Sequence, residues 1–551
     1  MPRRFFPNLI LEPSTSSRAV MIRFDKHSPW LDRAIVLGLY LLAVAVLAYH
    51  ARQAGIGADE SAYLDAGRRV GEWFDRIGSA ESSFFTQADR DAVWAPVHAV
   101  VNASTLLSAL VWHVAFSGFD VLGECVSLRL GTVLLNAFSV PLLYALLTPG
   151  LGRKVGGLSV LLWMLVVRAQ HEASLANPGV VAMTGSLAVL VAHGRARSAG
   201  RENRMGKSAA WMAVAGLLLG VGVAVSHATI VVLLVLFTNS LWLQRKRLRE
   251  MLRGGDVPVP SSMVFFAIFA PLAYGLATPW LWHDTAARIR PMLVRAFSPG
   301  TQAQGIGHTA LSLVLSTPMV IVLGALVGIA VTIGPSRWRG WGKKETTGDD
   351  ETPALLIVGL LTGLGWTWLL PGSMQPKAPL WLFCLPFMVG LAAMGWERAL
   401  RWGQRFLADP SWRRRVGVGL WVSLAAGGVW LTVGRPLTSS AAFFPVFLGP
   451  RVVASSPAGL RLHDGSVVRA FVPLIDELGV SETTVYSPSV PEDVWAGYQR
   501  WAGMRTKVRR VSDRERARLW VLDPGQEGGN ARLVGAVSRD AVMLVRLYDT
   551  R

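Results

Sequence analysis

Acidic residues placed just beyond an apolar helix can do proton chemistry at a water–membrane boundary, and this chain has such a pair in Gly57-Ala58-Asp59-Glu60-Ser61-Ala62-Tyr63. A basic tail (Arg3, Arg4, Arg18, Arg23, Lys26, Arg33) precedes an apolar run from about Ala34 to Tyr49, and the acids follow within a few residues. A carboxylate in that position can accept a proton from a hydroxyl or amine, or orient it by hydrogen bonding. Helix capping or simple solvation is the competing use of the same residues. Cationic groups that could face a phosphate lie further along: Arg288, Arg290 and Arg295 in the loop 283–308, and Lys377 at the start of an apolar run. Arg and Lys are natural phosphate partners, although anionic lipid headgroups attract them as well.

The elements that would position these groups are membrane helices. Hydrophobic residues make up 52% of the chain and charged ones 17%, and mean hydropathy is +0.38, more apolar surface than one soluble core can hide. The net charge of +19 does not point to nucleic acid, because the Lys and Arg sit in short loops between apolar runs, where they set topology. Apolar runs suited to spanning lie near 33–50, 97–117, 126–147, 155–172, 178–194, 209–226, 228–243, 262–281, 309–334, 353–371, 377–395 and 416–434. The basic loops 195–207, 244–253, 336–344 and 398–415, the N-terminus and the turn at Arg153 and Lys154 are assigned to the cytoplasmic side. An even number of spans then separates the N-terminus from Arg153. The segment 97–117, with His98, Asn102 and His113, is accordingly read as a juxtamembrane helix. Eleven spans remain, and the tail from 435 falls on the same side as Asp59.

The expected fold class is an α-helical polytopic membrane protein of about 11–13 transmembrane helices with a small C-terminal extracytoplasmic α/β domain. Its parts are a cytoplasmic tail (1–32), a transmembrane domain (33–434, with a first outer loop 51–125 and a central outer loop 282–308) and the soluble domain (435–551). In that last part Thr483–Tyr486, Leu519–Leu522 and Ala541–Val545 read as strands and Val467–Leu478 as a helix. A disulfide between Cys125 and Cys384 is not expected, since one lies near a membrane surface and the other in mid-span.

Four segments carry a family resemblance: Asp59-Glu60-Ser61-Ala62-Tyr63-Leu64-Asp65-Ala66 with Trp73-Phe74; Arg129-Leu130-Gly131 opening a helix; Pro279-Trp280-Leu281-Trp282-His283-Asp284 with Arg288-Ile289; and Phe443 to Pro450 at the junction into the last domain. In order and spacing they resemble the GT-C superfamily of polyprenyl-phosphate-sugar-dependent glycosyltransferases. They also resemble bacterial glycosyltransferase family 39, which is similar to protein O-mannosyltransferases and lipid A aminoarabinose transferases. The resemblance implies transfer of a sugar from a polyprenyl-phosphate donor to an acceptor protein, lipid or glycan at the outer face of a bacterial cytoplasmic membrane. It also implies Asp59 and Glu60 as catalytic acids. Arg288, Lys377, His308 and Arg129 would contact the donor phosphate and lipid, and Tyr63, His98, Glu172 and Asn177 the acceptor or sugar.

Two departures stand out. Relatives carry a His-Pro-Pro-Leu segment where this chain has Trp94-Ala95-Pro96-Val97-His98, and an aspartate where it has Asn177, with Glu172 five residues earlier. Altered specificity and loss of catalysis both follow from such changes, so a non-catalytic protein that binds lipid-linked glycan as a scaffold stays open beside the enzyme. A transporter ranks last, because few ionisable residues fall in mid-span and no inverted repeat is evident. No cofactor is implied, a divalent cation being left open, and no nucleic-acid partner is expected.

Overall fold

The computed structural model describes residues 29–57, 60–77, 86–94, 103–243, 261–290, 310, 313–314, 316–334, 351–369, 381–406, 409–433, 469, 471–487, 490, 492–522, 531–539 and 542–550. Its first helix, α1 (Pro29–Gln53), leaves Leu37, Leu41 and Leu42 more than half exposed, which is how a lipid-facing surface looks when the lipid is left out. Then follow α2 (Glu60–Ile77), α3 (Gln87–Trp94) and α4 (Ala103–Trp112), the last running on into a π-helical turn, His113–Gly118. The bundle continues with α5 (Glu124–Ala137), α6 (Ser139–Met164), α7 (Val167–Ser174), α8 (Pro178–Arg201), α9 (Met205–Val225) and α10 (Val231–Leu243). Its remaining helices are α11 (Ser261–Leu276), α12 (Met319–Ile333), α13 (Glu351–Leu369), α14 (Trp381–Gly403) and α15 (Pro410–Val433).

Among the described residues five helical segments are long and apolar enough to cross a membrane: Trp30–Gln53, Glu124–Met164, Pro178–Arg201, Met205–Val225 and Trp381–Phe406. Six shorter apolar helices stand among them. The chain is thus a multi-pass helical membrane protein. Within α6 the chain folds back at Gly152 (φ 84°, ψ 163°), a conformation glycine adopts without a Cβ penalty, so the turn expected at Arg153 is present one residue earlier. The span expected over 155–172 is shorter: α6 ends at Met164, and α7 is a separate helix whose eight residues are all buried. Helix α5 begins at Glu124, so Arg129 sits in its second turn and does not open it. A side chain at Gly131 would run into the Ser108 backbone of α4, so the bare glycine permits these two helices to touch.

Ion pairs identify the two ends of the bundle. Arg153 pairs with Asp32 of α1 at 2.7 Å. Arg197 and Arg201 of α8 both pair with Glu351 of α13, and the next residue, Thr352, lies against Gly150. The N-terminal side of α1, the Arg153 turn and the basic end of α8 therefore share one end, as the loop charges require. The opposite end carries the C-terminal domain. Ile56, Leu64, Trp112, Leu128 and Ala176 form one core with Phe471, Ile475, Val494, Trp495 and Tyr498.

That domain contains α16 (Val472–Asp476), α17 (Glu492–Trp501) and a five-stranded sheet. The strands are β1 (Glu482–Tyr486), β2 (Lys507–Arg510), β3 (Leu519–Leu522), β4 (Arg532–Arg539) and β5 (Val542–Asp549), in spatial order β2-β1-β3-β5-β4. Strand β1 is parallel to β2 and β3, while β5 is antiparallel to β3 and β4. Helix α17 makes the β1-to-β2 crossover and lays Trp495 and Tyr498, both fully buried, beneath the sheet. The α/β reading of the tail holds. The helix expected over Val467–Leu478 is described only as α16, and the junction Phe443–Pro450 lies outside the described residues.

Candidate active site

Glu60 opens α2 and is 2% exposed. Its Oε1 accepts from Arg129 Nε at 2.7 Å and from the Ala176 amide at 2.9 Å, and its Oε2 accepts from Arg129 Nη2 at 2.7 Å and the Gly57 amide at 3.0 Å. Arg129 spends its other donors on carbonyls, Nη1 on Ala51 (2.8 Å) and Ala54 (3.0 Å) and Nη2 on Gly55 (2.8 Å). All five guanidinium donors are taken, and each carboxylate oxygen holds two. In this arrangement Glu60 has no lone pair open for an acceptor proton and Arg129 no donor open for a phosphate. The pair instead ties together the end of α1, the start of α2, α5 and the segment after α7. Asp59 lies outside the described residues, but the clamp holds Gly57 and Glu60 on either side of it.

The segment that gives Ala176 to Glu60 also carries the two residues that depart from the family pattern. Asn177 caps α8, its Oδ1 accepting from the Gly179 amide at 2.9 Å, the usual task of an N-cap residue. Its Nδ2 lies 3.4 Å from Glu172 Oε2. Glu172 is 3% exposed and pairs with Arg168 at 2.7 Å. Helix spacing puts positions 172 and 177 on different faces, yet α7 stops at Ser174 and Leu175 is extended. The helical spacing therefore does not hold across this stretch, and a carboxylate stands beside Asn177.

Helix α2 also reaches the central loop. Trp73, near its C-terminal end, packs edge-on against Trp94 of α3, and Trp280 joins the same apolar cluster. Arg288 lies over the Trp280 ring at 4.0 Å, donates to the Trp280 carbonyl at 2.8 Å and pairs with Asp91 of α3 at 2.8 Å. Beside it Arg90 meets the His283 ring at 2.7 Å, and Gln87 donates to Asp284 at 3.0 Å. Residues Gln87, Arg90 and Asp91 had no motif to announce them. They stand together in Gln-Ala-Asp-Arg-Asp, which in isolation reads as a solvated helix face.

Tyr63 packs at the edge of the core shared with the C-terminal domain. Two residues on, Asp65 pairs with Arg500 of α17 at 2.7 Å; burial pushes its carboxyl up, against the pull of Arg500, Arg68 and Arg69. At the far end of α2, Asp75 accepts from His113 at 2.5 Å. His98, His308 and Lys377 lie outside the described residues, as do Arg295 and the Trp94–His98 departure beyond Trp94. Among the described residues no group of three His, Cys, Asp or Glu is placed to hold a metal ion.

No family model matches this chain, and no curated protein does. Solved structures similar to it include ArnT from Cupriavidus metallidurans in the apo state, 14% identical over 94% of this chain and 97% of that one, with a TM-score of 0.45. The same protein bound to undecaprenyl phosphate gives 14% identity, the same coverage and a TM-score of 0.40. An Archaeoglobus fulgidus oligosaccharyltransferase tethered with an acceptor peptide is 11% identical over 89% of this chain and 65% of that one, at a TM-score of 0.45.

Proposed function

We propose that this chain is an integral-membrane glycosyltransferase that moves a sugar from a polyprenyl-phosphate donor to an acceptor hydroxyl or amine at the face of the membrane bearing the C-terminal domain. The observation that supports this most is convergence along one helix. Helix α2 begins at the Glu60–Arg129 clamp and ends in the apolar cluster that Trp280 joins, so three segments far apart in sequence meet at the end of the bundle where the domain docks.

In this reading Asp59 takes the proton from the acceptor, whose oxygen or nitrogen then attacks the anomeric carbon. The bond from that carbon to the phosphate oxygen breaks with inversion, and polyprenyl phosphate leaves with the electron pair. Arg288 donates to the Trp280 carbonyl and to Asp91, and in this reading its guanidinium supplies positive charge to the departing phosphate. A preorganised cation in that place stabilises charge that develops only as the bond breaks. Glu172 beside Asn177 retains an acid where the family motif has aspartate, which favours altered specificity over lost catalysis.

The test is transfer from a panel of polyprenyl-phosphate sugars by purified protein, compared with Asp59→Asn. Wild type turns over with at least one donor, and the variant loses about 100-fold or more in kcat, the scale of a general-base contribution, with its thermal unfolding unchanged. An Asp59→Asn protein as active as wild type removes Asp59 from the mechanism.

A further inference from the structure

The acidic segment is gripped from a second direction, by the C-terminal domain. The amide of Ile56 donates to the Tyr498 hydroxyl at 3.1 Å, across a sequence separation that makes this a tertiary contact. Tyr498 is fully buried on α17. At the preceding residue of the same helix, Gly497 is the close-approach point: a Cβ there would meet Ile56 Cγ2 at 2.8 Å and Ser61 Cβ at 3.3 Å. Arg469 donates to the carbonyls of Gln53 and Ala54, and Arg500 pairs with Asp65. The domain therefore holds backbone on one side of position 59, at 53, 54 and 56, and a side chain on the other, at 65. Within the bundle Arg129 takes the carbonyls of Ala51, Ala54 and Gly55, so Ala54 is held by both arginines.

We infer that Tyr498 is a positioning residue, through which the C-terminal domain holds the backbone at Ile56, next to Gly57 of the Glu60 clamp. The kinetic part of this inference rests on the transfer reaction proposed above. The physical reason is that Ile56 is 3% exposed, so its amide needs a partner inside the protein, and α17 supplies one. A buried amide left without its acceptor favours local opening.

Hydrogen exchange on the full-length protein in detergent micelles or nanodiscs tests this directly. Tyr498→Phe keeps the ring and removes the acceptor. It is expected to speed exchange of the amides between 54 and 61 by about ten-fold, the equivalent of ~1.4 kcal/mol, while the amides of β3 keep their protection. Gly497→Ala, which wedges α17 away from Ile56, should do the same, and Arg516→Ala, an exposed site elsewhere on the domain, should not. In the transfer assay Tyr498→Phe should lower kcat while the KM for the donor stays within about two-fold, the pattern of a group that orders the reacting carboxylate without touching the donor. Unchanged exchange over 54–61 in both variants overturns the inference, as does faster exchange with an unaltered kcat. Wild-type protein without any turnover defeats the transfer reaction alone, and the exchange experiment then decides by itself whether Tyr498 holds the segment.

Discussion

Glu60 and Arg129 show how residues that carry a motif can be occupied with one another in the fold. Their salt bridge is almost wholly out of water, with side chains 1% and 3% exposed, and such pairs are costly to break because the survivor stays charged and buried. Arg129→Ala is therefore expected to destabilise the protein by about 3–5 kcal/mol. Arg129→Lys should fall only partway short of that loss, since an ammonium offers three donors against the five used here. The double variant Glu60→Leu/Arg129→Met should not restore stability. Apolar replacement can rescue an isolated buried pair, but here it would strand the carbonyls of Ala51 and Gly55 and the amides of Gly57 and Ala176. Thermal unfolding of the detergent-solubilised variants reads this, and a double variant as stable as wild type would show that the clamp is dispensable. Sequence singled out Glu60 by its place after the first span and Arg129 through the family resemblance. It could not count their hydrogen bonds, since five of the partners are backbone groups that carry no residue signature.

At the scale of elements, legibility followed hydrophobic pattern. Strands β1 and β3 stand out because Thr483, Val485, Leu519 and Val521 alternate into the core. Strand β2 reads Lys-Val-Arg-Arg and buries only Val508, so at the sheet edge its charges look like a loop. Helix α7 was absorbed into the span before it, because a buried polar helix has no apolar stripe. The edge strand is held partly by Asp476 at the end of α16, which accepts from the Thr506 amide at 2.8 Å and the Arg505 amide at 3.0 Å. Burial alone would raise this carboxyl, but the amides of Thr506 and Arg505 outweigh it and hold the group below its usual range. A depressed acid contributes stability above its unfolded pKa, about 3.9 for aspartate, and loses it as pH falls through the lower folded value. Asp476→Ala should therefore lower the unfolding temperature of the protein at pH 7, and that deficit should shrink as the buffer is taken to pH 3. A deficit independent of pH would mean that Asp476 acts through packing and not through its charge.

For the whole molecule, charge and contact give the same two ends by independent routes. The loop arginines assign one side by the positive-inside rule, and Arg153–Asp32 with Arg197–Glu351 and Arg201–Glu351 draws those residues to one end of the bundle. The C-terminal domain sits at the other end, against Ile56, Leu64 and Leu128. What the sequence could not show is that this domain is bonded to the acidic segment, because contacts between residues near 56 and 498 leave no periodic trace. The arrangement predicts sidedness that labelling can read. With Cys125 and Cys384, both free, replaced by alanine, single cysteines go in at Lys207 in the first turn of α9 and at Arg516 in the domain, both exposed. A membrane-impermeant maleimide added to intact cells should label Arg516→Cys at once and Lys207→Cys only after permeabilisation. That outcome puts the proposed transfer on the side where a lipid-linked sugar, and not a nucleotide sugar, is the available donor. Labelling of both from one face would mean that the two ends do not lie across a membrane, and the topology built on the loop charges would fail with it.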